Sequence, residues 1–152
     1  MFFIDDHSDK REKRIQAFME REPAIAVLLA AAHFEWTVFR AIMFLSKTPN
    51  KELRERLKKC HGLDAYKDIW RKEVKSNTPG SSLPLIIQRW ADFKEAFKLR
   101  HKLIHGRETC TPSYAAPRAK LILEAAKDVR EFGSRQGVDL HARMPVRRKR
   151  AT

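Results

Sequence analysis

One short string in this sequence combines side chains that hold anions with side chains that move protons: Arg100-His101-Lys102-Leu103-Ile104-His105-Gly106. A guanidinium is a planar fork that gives two hydrogen bonds to a phosphate or carboxylate. An imidazole changes charge near neutral pH and so serves as a general acid or base. His101 and His105 stand one helical turn apart and are two of only six histidines. Their H-x-x-x-H spacing also suits two metal ligands on one helix face. No clear third ligand and no HExxH glutamate accompanies them, so no metal and no cofactor is expected.

The position of Arg100 sharpens this reading. Ile86, Trp90, Phe93, Phe97 and Ile104 recur at steps of three and four and define the apolar stripe of a helix. Arg100 falls in that register, roughly 50° from the centre of the stripe on an ideal helix. A guanidinium there needs an anion, a carboxylate or a wet interface. Glu35 is the matching oddity, a carboxylate within the most apolar segment of the chain, residues 24–45. Buried acids are rarely left unpaired. The candidates for Glu35 are pairing with Arg100, orienting His105, or pairing with Arg40 or another cation. His33, two residues away, points elsewhere.

Helical periodicity dominates the elements that must position these groups. A charged segment from Ser8 carries Ile15, Phe18 and Met19 at helical spacing, with Ser8 as its expected cap. Pro23 opens residues 24–45, which are apolar nearly all round and read as a covered central helix. That segment has almost the length of a membrane span, but His33, Glu35 and Arg40 are costly in lipid. Short helices are expected over 51–59 and 64–75, and one long helix over 83–105, which Gly106 stops. Residues 109–117 read as a connector with two prolines, and 118–132 as the last strong helix. Trp36, Trp70 and Trp90 fall among aliphatics and read as core or interface. The expected fold is all-α, an up-and-down bundle of four to six helices: one domain over residues 1–133, then a basic, flexible tail over 134–152.

The string RHKLIHG resembles the signature of the HEPN superfamily (higher eukaryotes and prokaryotes nucleotide-binding). That signature is an Arg, four to six residues and a His, often with a polar residue directly after the Arg. Arg100 matches the motif Arg, His105 the motif His, and His101 the polar position, where Asn is commonest. The resemblance covers the helical region, residues 10–133, and its specific part is seven residues long. It implies a helical bundle with the motif near the end of a late helix. It also implies a metal-independent endoribonuclease that pairs as a homodimer, bringing two motifs into one cleft. In that chemistry the ribose 2′-OH attacks the phosphate, giving a 2′,3′-cyclic phosphate and a 5′-OH. Arg100 is assigned to the phosphate, His105 to general acid or base work, and His101 to a second proton transfer or positioning. Glu35 is assigned to the acidic position on an earlier helix that faces the motif. Arg100 and His105, five apart, differ by roughly 140° around an ideal helix. They converge only if the last turn loosens or a second copy completes the site. The family further implies a neutralising partner, commonly a minimal nucleotidyltransferase, as in toxin–antitoxin or antiviral defence pairs. Other members have lost activity and serve as nucleotide-, RNA- or protein-binding modules.

Composition agrees with a polyanionic substrate. The 152 residues carry 32 Lys and Arg against 19 Asp and Glu, a formal charge of +13. Lys102, Arg107, Arg147, Arg148, Lys149 and Arg150 are the expected backbone contacts to RNA, of the kind that weaken with salt. Cys60 and Cys110 lack C-x-x-C spacing and read as free thiols in a reducing compartment. The start of the chain lacks the pattern of a signal peptide, so a cytoplasmic location with no membrane partner is expected. A basic helical DNA-binding protein is the competing class, resting on the short basic segment over residues 51–70.

Overall fold

The computed structural model describes residues 7–106 and 110–148. The chain is all-α. Among the described residues it forms seven α-helices: α1 (Ser8–Phe18), α2 (Pro23–Leu45), α3 (Asn50–Lys58), α4 (Leu63–Trp70), α5 (Leu83–Ile86), α6 (Trp90–Ile104) and α7 (Pro112–Arg135). A π-helical turn, Arg71–Lys75, follows α4 directly.

Three boundaries differ from expectation, each for a local reason. Ser8 is the first helical residue of α1 and His7 precedes it as the cap, with no side-chain capping bond. The long helix expected over 83–105 is broken. Ile87 is extended (φ −80°, ψ 110°), and the Gln88 N–H bonds to the Asp128 carboxylate at 2.9 Å. Arg89 then folds onto Asp92 at 2.8 Å, and α6 starts at Trp90 with that carboxylate in its first turn, where the helix dipole favours it. The expected connector over 109–117 is mostly helix. Pro112 occupies the first position of α7, where no N–H is needed. Pro117 lies within the helix and forfeits one early hydrogen bond.

The helices assemble into two compact units. The first comprises the chain up to Trp36 together with Arg89–Lys127. Its core joins α2 to α6 through Phe34, Phe93 and Phe97, with ring centroids 4.6 Å apart for Phe34–Phe93 and 5.6 Å for Phe93–Phe97. Ala115, Ala119 and Ile122 of α7 are fully buried in the same unit.

The second unit comprises Thr37–Gln88 and the chain from Asp128 onward. Trp70, fully buried, packs on Phe132 with centroids 5.9 Å apart and donates its indole N–H to the Ser81 carbonyl. A polar knot forms around Glu73 in the π-helical turn, which is 5% exposed. Ser46 and Thr48 donate their hydroxyls to one carboxylate oxygen at 2.6 and 2.7 Å, and Arg56 pairs with the other. Burial pushes the Glu73 pKa up, but the three hydrogen bonds and the Arg56 charge outweigh it and hold the carboxyl below the usual glutamate value.

α7 ends in a Schellman turn. Gly137 adopts φ 77°, and the Val138 N–H bonds back to the Gly133 carbonyl at 2.9 Å. The chain then continues as an arm over residues 138–148, for which the sequence offers no periodicity. Leu140 is 2% exposed, and Arg40 donates to the carbonyls of Leu140 and Ala142.

Glu73→Gln keeps the shape of the side chain but removes the charged acceptor. We expect a loss of about 1–3 kcal/mol at neutral pH, the usual range for disturbing buried hydrogen bonds to a charge. The wild-type contribution is complete above the unfolded-state pKa of about 4.3 and fades as pH falls through the lower native value. Urea denaturation across that acid range checks this: the variant's midpoint is expected to fall less steeply with acid.

Candidate functional site

The site builds from α6 and α2, both in the first unit at these positions. Phe93, Ala96, Phe97 and Leu99 are the buried residues of α6. Arg100, next in the chain, lies at the margin of that face with its side chain 30% exposed. Its Nη2 stands 3.5 Å from Oε1 of Glu35, whose side chain is 22% exposed. Of the partners the sequence allowed for Glu35, the structure thus gives Arg100. At this separation and exposure the ion pair is worth about 0.2–1 kcal/mol.

The two histidines form the second pair. His101 and His105 are exposed, with ring centroids 4.4 Å apart in an edge-to-face arrangement at 61°. His105 caps α6, and its N–H reaches the His101 carbonyl at 3.3 Å. Gly106 follows at φ +60°, in the left-handed region, and its N–H bonds to the Leu103 carbonyl at 3.1 Å. The helix therefore stays regular through His105 and closes in a tighter turn at Gly106, so the last turn does not loosen to bring His105 round to Arg100. Among the described residues, no group of three His, Cys, Asp or Glu is arranged to hold a metal ion.

The other expected residues divide. Lys102 is exposed on the same turn of α6. Arg107, Lys149 and Arg150 lie outside the described residues. Arg148 is exposed, whereas the guanidinium of Arg147 is engaged within the chain. Its Nε donates to the Thr48 carbonyl at 3.1 Å and its Nη2 to the Met43 carbonyl. Burial lowers the Arg147 pKa, and Glu73 acts in the opposite sense. Arg147 and Arg148 belong to the second unit, not to the unit holding Arg100 and the histidine pair.

Next to Glu35 is a cluster that the sequence reading did not pick out. Arg11 is 1% exposed, and its guanidinium carbon lies 3.7 Å from the centroid of the Trp36 ring. The buried His33 ring stacks on the same indole at 6.2 Å and places Nε2 3.4 Å from Glu12 Oε1. The signal was present in the spacing: Ser8, Arg11 and Ile15, at steps of three and four, are the buried residues of α1.

No protein-family model, curated protein or solved structure matches this chain.

Gly106→Ala tests the helix end. A Cβ there meets nothing within 4 Å, so its cost is conformational and not steric crowding. A left-handed alanine costs about 1–2 kcal/mol, and asparagine, which visits that region, is expected to cost less. Thermal denaturation of the two variants is expected to rank them in that order.

Proposed function

We propose that this protein is a metal-independent endoribonuclease of HEPN type, acting as a homodimer on RNA. One observation carries the reading. A half-buried arginine paired with a carboxylate stands on the last two turns of one helix with an exposed pair of imidazoles, His101 next to it in the chain and His105 one turn beyond His101. In the reaction the ribose 2′-oxygen attacks phosphorus and the P–O5′ bond breaks. One imidazole takes the 2′-OH proton, and another returns a proton to the departing 5′-oxygen. The products are a 2′,3′-cyclic phosphate and a 5′-OH, with no redox change and no added co-reactant. Arg100 stabilises the charge that builds on the phosphoryl oxygens. Glu35 aims the guanidinium. His105 and His101 supply the proton transfers, and a second copy supplies any group that one chain cannot bring to the same phosphate. A neutralising partner protein and a cytoplasmic location belong to the same reading.

The second reading is a non-catalytic module that binds nucleotide, RNA or a protein through the same surface. The presence of the motif His, His105, favours the enzyme, because anion binding alone does not need a proton-transfer group.

The deciding experiment incubates the purified protein with mixed RNA in EDTA and identifies the product ends. Cleavage to 2′,3′-cyclic phosphate ends is expected. His105→Ala is expected to lower the rate by about 10²–10⁴, the range for losing a general acid or base. Arg100→Ala is expected to cost about 10²–10³, as for losing a preorganised donor to the transition state, with the helical spectrum unchanged. Mixing the two variants is expected to restore part of the activity if the cleft is shared. Full activity in His105→Ala excludes His105 from the chemistry. Binding of RNA with no turnover under any of these conditions favours the module.

A further inference from the structure

The arm over residues 138–148 is held mainly through its backbone. Three of its contacts come from one residue, Asn50, at the start of α3. The Asn50 N–H donates to the Arg147 carbonyl at 3.1 Å, its Nδ2 to the Pro145 carbonyl at 2.7 Å, and its Oδ1 accepts the Arg147 N–H at 3.1 Å. Arg40 of α2 adds two bonds, to the carbonyls of Leu140 and Ala142. The arm turns between Asp139 and Ala142, where the Ala142 N–H bonds to the Asp139 carbonyl at 3.1 Å, and its backbone is read on both sides of that turn by hydrogen bonds that do not depend on the arm's side-chain identity.

Two side chains supply the identity. Leu140 is buried over Gly133 at the end of α7, and the Arg147 guanidinium is received by the Thr48 and Met43 carbonyls with the Glu73 carboxylate close enough to act on its charge. The rest of the arm is poorly covered. Val146 is 68% exposed, and with Arg147 and Arg148 it walls a cavity of about 660 Å³ against Pro49, Lys51 and Glu52. An element held by hydrogen bonds and a single buried leucine belongs among those that open at low free-energy cost.

We propose that the α2–α3 corner is a binding site for an arginine-bearing peptide, and that its occupant in trans is the same arm from a second copy of the chain. The arm's own sequence is the one the site is shown to accept, and a second copy brings that sequence by necessity. The turn through Gly137 supplies the hinge, and exchange of an identical element is a low-cost route to a dimer. Tethering favours the arm in cis, so exchange shows once the cis arm is weakened or the chain is concentrated. The proposal is independent of the ribonuclease reading and uses none of its residues.

The test uses full-length chains and a fluorescent peptide with the sequence of residues 140–148. Arg147→Ala leaves the corner intact but weakens its own arm, and trypsin is then expected to cut rapidly at the exposed Arg143. That chain is expected to bind the peptide roughly a hundredfold tighter than wild type, whose tethered arm competes. A peptide with alanine in place of its Arg147 is expected to lose binding. Asn50→Ala spoils the corner but keeps the arm. Mixing it with Arg147→Ala is expected to give a mixed dimer in which the Asn50→Ala chain displaces the labelled peptide from the Arg147→Ala corner, whereas a chain carrying both substitutions, which keeps any dimer made through the ribonuclease site, displaces none. Slow cleavage at Arg143 in Arg147→Ala overturns the proposal, as does a released arm with no peptide binding. Peptide binding without the mixed dimer overturns the second copy as occupant and assigns the site to another protein's arginine-bearing segment. If Arg147→Ala loses its helical spectrum, Arg147→Lys, which retains the charge but not the two-point reach, is held to the same criteria.

Discussion

The contact on which the candidate site depends is an apolar one, Phe34 of α2 against Phe93 of α6. Aromatic pairs of this kind bury large areas and hold preferred ring geometries, so they set how one helix seats on another. Phe97, one turn further along α6, meets the same Phe34 ring at 5.7 Å. With Phe34 seated between two rings of α6, the next residue of α2 is Glu35, and the third residue after Phe97 is Arg100. The ion pair at the motif is thus a consequence of core packing and contributes little to it. A truncation at Phe93 or Phe97 disturbs the arginine without touching it.

A second constraint is the fate of polar side chains within an apolar helix. By length and composition α2 is long and apolar enough to cross a membrane, and more than half of its most apolar window is buried in the protein. It carries His33, Glu35 and Arg40, and each meets a group from elsewhere in the chain: Glu12, Arg100, and the carbonyls of Leu140 and Ala142. Burying such groups unmatched costs several kcal/mol each. Satisfying them ties α2 to α1, to α6 and to the C-terminal arm. These polar contacts specify partners where the surrounding apolar surface, which fits many neighbours, cannot.

Much of this was legible in the sequence, and the exceptions have physical reasons. The all-α class and the central helix followed from periodicity. Gly106 marked the end of α6 because a left-handed residue is needed there. The pairing of Glu35 with Arg100 was among the partners foreseen, since two charges in apolar stripes need each other. The break at Ile87 was hidden because the residue that captures the Gln88 N–H is Asp128, forty residues away. The arm was hidden because hydrogen bonds to backbone leave no hydrophobic pattern. The RNA role assigned to Arg147 came from counting charge, and charge alone does not reveal that its guanidinium is taken up by main-chain carbonyls.

The strength of the Arg100–Glu35 pair bears on how a ribonuclease of this design would work. A long, partly solvated ion pair at 3.5 Å holds the guanidinium in place without satisfying it. A phosphate offers the same fork two short, charge-assisted hydrogen bonds of about 2.7–2.9 Å, which are roughly twice as strong as neutral ones. The carboxylate keeps the arginine aimed and raises no large barrier to its engagement by substrate. A fully buried, bidentate pair would have been a better structural element and a worse phosphate clamp, because releasing it would cost several kcal/mol before any binding began. On the proposed reading, the partial exposure of both side chains is what leaves Arg100 available to a phosphate while its direction stays fixed.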